Sequence, residues 1–349
     1  MVPSRRGEPN RLVDIVPQRS PRCDAIHQHR KSLWMPGLSY LQAIVIGLLQ
    51  GVTELFPISS LGHSVLVPAW IGGDWSHLVT QYGTSESSQS PYLAFIVALH
   101  VATALALLWF YRRDWIAIIG AFLNTLRTRT VRTSTERLAW LIVIATIPVG
   151  LTGIILEHTF RVLFAKPAAA AAFLTLNGVI LLAGERLRRR AGQRALVATE
   201  SKLSAKPTEP TVNHAAVHSS PGRRLETLRY REAGIIGLFQ TLALLAGISR
   251  SGITMVGGLL RGLDHEDAAK FSFLLATPVI LAAGVLKIPS LLGPAGDNIR
   301  GQVIVGAVVA ALAAYASVRF LTRYFTTRTL TPFAVYCLVA GAASLIKFA

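Results

Sequence analysis

The chain has 349 residues, 52% of them apolar and only 15% charged, against about 25% charged in an ordinary soluble domain, which excludes a water-soluble globular fold. A net charge of +17 does not make a nucleic-acid footprint, because the basic residues flank apolar stretches instead of gathering on one polar face, the pattern of cytoplasmic loops in a membrane protein. Cys23 and Cys337 lie in unlike contexts, so neither a disulfide framework nor a zinc site is implied.

In chain order, residues 1–34 are polar and without hydrophobic periodicity, and they read as a disordered extension with Met35 as the expected physiological start. Residues 38–71 are apolar but interrupted by polar groups and a proline, the pattern of a re-entrant helical hairpin. Residues 91–111, 138–156 and 167–184 each approach the ~20 apolar residues that cross a bilayer. Residues 115–126 are too short to cross and are expected at the membrane interface. The arginine-rich tract 185–231 reads as a flexible cytoplasmic linker. A second hairpin over 232–260 and three further spans, 271–286, 301–318 and 331–346, complete the pattern.

The two hairpins are related by an internal repeat. At an offset of 190 residues, Gly47 and Gln50 align with Gly237 and Gln240, Leu55 with Leu245, Ile58 with Ile248, Ser59 with Ser249 and Gly62 with Gly252. Placing the basic loops in the cytoplasm makes the second hairpin begin and end inside and the first begin and end outside. The expected fold is therefore an all-α polytopic membrane protein built as an inverted repeat, each half one re-entrant helical hairpin plus three transmembrane helices. Repeat 1 spans 35–184, the linker 185–231 and repeat 2 232–349. Broken backbone at membrane depth is tolerated only where it lines an enclosed cavity, so both hairpin tips mark the expected site.

Ionisable groups at membrane depth cost about 2.5–3.5 kcal/mol each and default to function. In the first tip, Gln50 and Glu54 share a helix face at i, i+4 and suit half of a hard-cation site for Mg²⁺ or Ca²⁺, or Glu54 pairs with Arg250 to hold the hairpins together. Pro57 breaks the helix ahead of Ser59 and Ser60, which serve as caps or as a nucleophile. His63 follows where it can reach back to a hydroxyl as general base. In the second tip, Ser249, Arg250, Ser251 and Gly252, with Thr254 close behind, offer a guanidinium, hydroxyls and flexible backbone for phosphate. His100 reads as a satisfied buried histidine ahead of a role beside the site. Residues 264–267, Asp-His-Glu-Asp, read as a helix cap with an acidic first turn rather than a metal cluster. Glu136 and Glu157 are expected at the interface.

Taken together, the motif from Gln50 through Glu54, Pro57, Ser59, Ser60 and Gly62 to His63, and the second from Gly247 through Ser249, Arg250 and Ser251 to Gly252, resemble those of the undecaprenyl-diphosphatase family, the bacitracin-resistance type of polyprenyl diphosphate phosphatase. The sequence departs from the family's pattern in Ala246 where the family has proline, in Gln50 at the first acidic position, an allowed variant that leaves one carboxylate fewer for metal, and in the length of its central linker and N-terminal extension. The resemblance implies a hydrolase acting on undecaprenyl diphosphate at the outer side of the bacterial plasma membrane, dependent on Mg²⁺ or Ca²⁺. It further implies recycling of the lipid carrier for peptidoglycan synthesis and tolerance to bacitracin. On this reading Ser60, His63, Glu54 and Arg250 are catalytic, Ser59, Ser249, Arg250, Ser251, Gly252 and Thr254 bind substrate, and Glu54 and Gln50 hold the cation. Partners are the polyprenyl diphosphate and membrane lipids, with a homodimer compatible and no nucleic acid. Bottom-up, the residues specify an anion-handling site in a cavity, which a lipid flippase or secondary transporter with inverted repeats also satisfies.

Overall fold

The computed structural model describes residues 38–76, 78, 91–164, 166–204, 223–292 and 299–349. The expected extension 1–34, its Met35 start and the middle of the basic tract, 205–222, lie outside the described residues. Among the described residues the chain is helical, with a single isolated bridge between Arg223 and Leu263.

The first hairpin is α1, Tyr40–Thr53, and α2, Ser60–Ile71. Ser39 starts α1 with a capping box, its hydroxyl accepting from the Gln42 amide while the Gln42 side chain accepts from the Ser39 amide. Then come α3 (Pro91–Phe110), α4 (Arg112–Thr128), α5 (Ser134–Phe164) and α6 (Pro167–Ser204). The second hairpin is α7, Tyr230–Thr241, and α8, Arg250–Leu260, followed by α9 (His265–Leu292), α10 (Arg300–Tyr324) and α11 (Thr331–Phe348). Six of these helices, α3, α5, α6, α9, α10 and α11, are long and apolar enough to cross a membrane, and they are the six expected spans. The chain is thus an all-α, multi-pass membrane protein. Both hairpin pairs are shorter apolar helices joined by a break, as the sequence pattern predicts.

One boundary differs from the sequence reading. Helix α6 does not stop at Gly184, where hydropathy ends, but continues to Ser204. The first part of the tract that reads as flexible linker is instead helix, because residues 185–204 are rich in Leu, Ala, Arg, Glu and Gln, all strong helix formers. Helix α4 runs beyond the expected 115–126 at both ends and leaves Ile116, Ile119, Leu123 and Leu126 exposed. Asp264 caps α9 as expected, its Oδ1 accepting from the Asp267 amide at 2.7 Å, while His265 turns inward onto buried Glu185 at 2.9 Å.

Packing positions the hairpins reciprocally. Helix α1 of the first half lies along α10 of the second, and α7 of the second half lies along α5 of the first. Both seams close at glycines that the repeat aligns. A Cβ on Gly47 would stand 2.5 Å from the Gly306 carbonyl oxygen, and one on Gly237 would stand 2.4 Å from that of Ala145. Helix α11 packs along α6, where Gly178 and Gly341 let the two backbones close together. Between these pairs the two tips meet.

Candidate active site

Both tips use the same local device. After the break, Ser59 caps α2 by accepting from the Gly62 amide at 3.3 Å, and its repeat counterpart Ser249 caps α8 by accepting from the Gly252 amide at 3.2 Å. The Ser59 hydroxyl also accepts from the amide of Gly247 in the opposite tip at 3.1 Å, so the cap of one half is also a joint to the other. Ser59 stands at φ 72°, a strained backbone for a residue with a side chain, held by those contacts. Gly247, at φ 115°, has no room for a side chain, since a Cβ would lie 2.5 Å from the Ala170 carbonyl oxygen.

Asn177 of α6 locks the joint. Fully buried, it donates to the Pro57 carbonyl at 3.0 Å and accepts from the Ser249 amide at 3.0 Å, holding one backbone group of each tip. The Ser249 and Ser251 hydroxyls lie 3.0 Å apart and both reach the Phe56 carbonyl. Thr254 donates back to the Arg250 carbonyl of its own helix. The hydroxyls expected to bind substrate therefore brace the tips in this arrangement, and Gly252 packs against Pro57.

At the centre lies the Glu54 carboxylate, its side chain 3% exposed. Oε1 accepts from Arg250 Nη2 at 3.0 Å. Oε2 accepts from Gln50 Nε2 at 3.1 Å and from the Ser60 hydroxyl, and lies 3.2 Å from His100 Nε2. A buried carboxylate this enclosed is stable only because its partners are in place, since stripping one from such a pair typically costs about 3–5 kcal/mol. The structure thus brings together Gln50, Glu54, Ser60 and Arg250 from the two motifs.

His63 is placed differently from the sequence reading. Its Nδ1 donates to the Ser59 carbonyl at 2.7 Å and its Nε2 faces the Tyr336 hydroxyl at 2.7 Å, so neither nitrogen is bonded to the Ser60 hydroxyl it was expected to serve. The reason is geometric: the carbonyl one turn back takes Nδ1, and the ring then points Nε2 toward α11. Ser60 donates to Glu54 instead. His100, read as an ordinary buried histidine, lies against the central carboxylate, anchored through Nδ1 to the Ile96 carbonyl at 2.8 Å. Sequence reasoning passed over Asn177 and Tyr336 as members of plain spans; a polar side chain midway along an apolar helix was the available signal for Asn177.

The donor set bears on the expected cation. Gln50 Oε1 is a buried carbonyl oxygen with no hydrogen-bond partner, the kind of hard donor that Mg²⁺ or Ca²⁺ takes. Glu54 already accepts from Gln50, Ser60 and Arg250 and lies against His100, so a cation reaching it displaces one of these neighbours. Among the described residues no group of three or more His, Cys, Asp or Glu side chains gathers around a point. Gln50 and Glu54 thus fit a site with two protein oxygens completed by phosphate and water, the manner in which Mg²⁺ is commonly held.

Comparison with known proteins identifies the family. The family described as bacitracin resistance protein BacA matches residues 43–343. The chain is 64% identical over 341 residues to undecaprenyl-diphosphatase 2 of Frankia alni, covering 90% of this chain and 99% of that protein. It is 58% identical over 312 residues to the undecaprenyl-diphosphatase of Mycolicibacterium paratuberculosis, covering 89% and 98%. The undecaprenyl-diphosphatase of Granulibacter bethesdensis is 42% identical over 312 residues, covering 88% and 96%.

Proposed function

The chain belongs to the bacitracin resistance protein BacA family, and on that premise we propose that it hydrolyses undecaprenyl diphosphate to undecaprenyl phosphate and inorganic phosphate, as the names of its relatives describe. The observation that carries this reading is the Glu54 carboxylate, buried where the two tips meet and bonded by Ser60 from one and Arg250 from the other. A nucleophilic hydroxyl, an acceptor for its proton and a planar cation suited to phosphate stand within one contact shell.

Substrate phosphate displaces the carboxylate from Arg250, whose fork grips two phosphoryl oxygens. Amide groups at the start of α8, the helix that Arg250 opens, would donate to further oxygens. Ser60 Oγ attacks the terminal phosphorus, its proton passing to Glu54, while the bond from phosphorus to the bridging oxygen breaks and undecaprenyl phosphate leaves. Water gives a proton to His63, whose Nε2 exchanges its contact with the Tyr336 hydroxyl for one with that water, and attacks the phosphoserine phosphorus; the bond to Ser60 Oγ breaks, Glu54 returns the proton to that oxygen, and inorganic phosphate leaves. Gln50 and Glu54 would hold a divalent cation, which when bound would neutralise phosphate charge. Orientation and electrostatics carry most of such a reaction.

The positive-inside bias of the loops supports an inverted arrangement of the two halves with the site open to the outer side. There the enzyme returns the lipid carrier to cell-wall synthesis and depletes the diphosphate lipid that bacitracin sequesters. Phosphate release from undecaprenyl diphosphate by the purified protein in detergent, with and without a chelator, tests the reading. Hydrolysis needs one compartment and transport needs two, so absence of release in cation-replete detergent, with intact folding, favours a flippase or transporter instead.

A further inference from the structure

We infer that His100 is a third protein ligand of the divalent cation, its Nε2 joining Glu54 and Gln50 in a site of one nitrogen and two oxygens; the inference rests on the cation site given to Gln50 and Glu54 above. His100 stands midway along α3, outside both motifs. Gly306 of α10 brings that span to the first tip, since a Cβ there would lie 2.8 Å from Phe95 and 3.1 Å from Leu99 of α3, and 3.1 Å from the Ala43 carbonyl oxygen of α1. With α1 and α3 both closed onto one glycine, His100 reaches across to Glu54, its Nε2 3.2 Å from Oε2.

The ring is held as a metal ligand is held. Nδ1 lies 2.8 Å from the Ile96 carbonyl, which can only accept, so Nδ1 carries the hydrogen and the neutral imidazole has its lone pair on Nε2. A histidine that binds a metal through one nitrogen almost always anchors the other in this way. Opposite Nε2 stands a carboxylate oxygen, a second acceptor, and two lone pairs share that distance only when something positive joins them. A proton on Nε2 joins those two atoms alone, whereas a cation bound to both also takes Gln50. His63 has the same anchor, on the Ser59 carbonyl, but its Nε2 faces the Tyr336 hydroxyl and no carboxylate.

The spacings are those of a coordination shell. Ligands about 2.1 Å from an octahedral ion stand about 3 Å apart when they are neighbours, and Glu54 Oε2 lies 3.1 Å from the Gln50 amide head and 3.2 Å from His100 Nε2. Gln50 is fully buried with Oε1 unpartnered, and half a turn of its amide exchanges that oxygen for the nitrogen facing Glu54. The ion then replaces only the hydrogen bond from Gln50, leaving Oε2 one bond from Ser60 and one to the ion while Arg250 keeps Oε1. An imidazole adds a ligand without adding negative charge, so beside a single carboxylate the ion retains its charge for phosphate. The mixed set suits a first-row divalent ion such as Mn²⁺ better than Ca²⁺, which takes about six to eight oxygens.

Electron paramagnetic resonance of the purified full chain in detergent, titrated with Mn²⁺, tests this without turnover. The expected result is saturable binding with spin-echo modulation from a directly bound imidazole nitrogen, and tighter binding of Mn²⁺ than of Ca²⁺ in competition. Losing even a partner that orients a ligand typically weakens metal about 10–100-fold, so His100→Gln is expected to lose the modulation and to raise the Kd for Mn²⁺ at least about tenfold. His63→Gln, which leaves His100 in place, is expected to keep the modulation. Bound Mn²⁺ without it, or modulation that survives in His100→Gln, overturns the inference and leaves the site of Gln50 and Glu54 standing. Absence of saturable binding in the parent overturns both. Should His100→Gln fail to fold, modulation in the parent and in His63→Gln supports the inference and its absence from either overturns it. Phosphate release, assayed separately, decides the hydrolase reading whichever way the spectra fall.

Discussion

Arg250 and Glu54 are two charges that neither could bring into this interior alone. The Glu54 side chain is 3% exposed and that of Arg250 20%, and their contact joins residues 196 positions apart in sequence. Removing the guanidinium leaves a carboxylate with hydrogen bonds but one cation fewer, so Arg250→Ala is expected to destabilise the protein by about 3 kcal/mol and to abolish phosphate release. Arg250→Lys keeps charge and much of the stability but loses the planar fork, and its kcat/KM is expected to fall about a hundredfold. If the arginine serves only to hold the hairpins together, adding Glu54→Ala to Arg250→Ala restores the melting temperature, and Arg250→Lys turns over normally.

Glu54, Ser60 and Arg250 were legible in the sequence because polar groups at membrane depth are costly enough to need a reason. His100, Asn177 and Tyr336 were not, because their partners lie on other elements. The contacts of Asn177 with Pro57 and of His63 with Tyr336 span 120 and 273 residues, and no local spacing encodes such a meeting.

Hydropathy alone places the six spans, since bilayer thickness fixes their length. It fails at α6, whose helix outlasts its apolar stretch and is continued by charged helix formers. Close approach of elements is equally invisible to hydropathy, although the repeat hints at it by aligning Gly47 with Gly237. With carbonyl oxygens 2.5 Å and 2.4 Å from where a methyl group would sit, Gly47→Ala and Gly237→Ala must each push two helices apart. A loss of about 1–3 kcal/mol is expected for each, read as lowered melting temperatures in detergent. Gly150 is the control, because a methyl group there would meet no atom within 4 Å. Gly150→Ala, in the α5 helix, is expected to be neutral or slightly stabilising. Equal melting temperatures for all three variants would show that the seams yield freely and do not set the tip geometry.

Across the whole molecule the excess of basic residues defines a direction. On the proposed orientation, with Arg127 at the end of α4 and Arg129 and Arg132 between α4 and α5 on the cytoplasmic side, Asp74 just after α2 lies on the outer side. A cysteine at Asp74 is expected to react with a membrane-impermeant maleimide on intact cells, and one at Arg129 only after permeabilisation. The reverse labelling pattern would turn the site toward the cytoplasm and remove the outer-leaflet reading. The reciprocal packing of α1 on α10 and α7 on α5 also means that the first helix of each hairpin lies against a span of the other half.

The joint between the tips has a consequence for biogenesis. Glu54 enters the membrane long before its arginine exists, because ribosomes add about 5–20 residues per second and Arg250 lies 196 residues downstream. For roughly 10–40 s the nascent first half carries a carboxylate whose cation has not yet been synthesised. The same interval leaves the Ser59 hydroxyl without the Gly247 amide and the Asn177 side-chain oxygen without the Ser249 amide. Hydrolytic competence therefore arises in one late event, when the second hairpin docks, and an interrupted translation product leaves an inert fragment in the bilayer instead of a partially active enzyme.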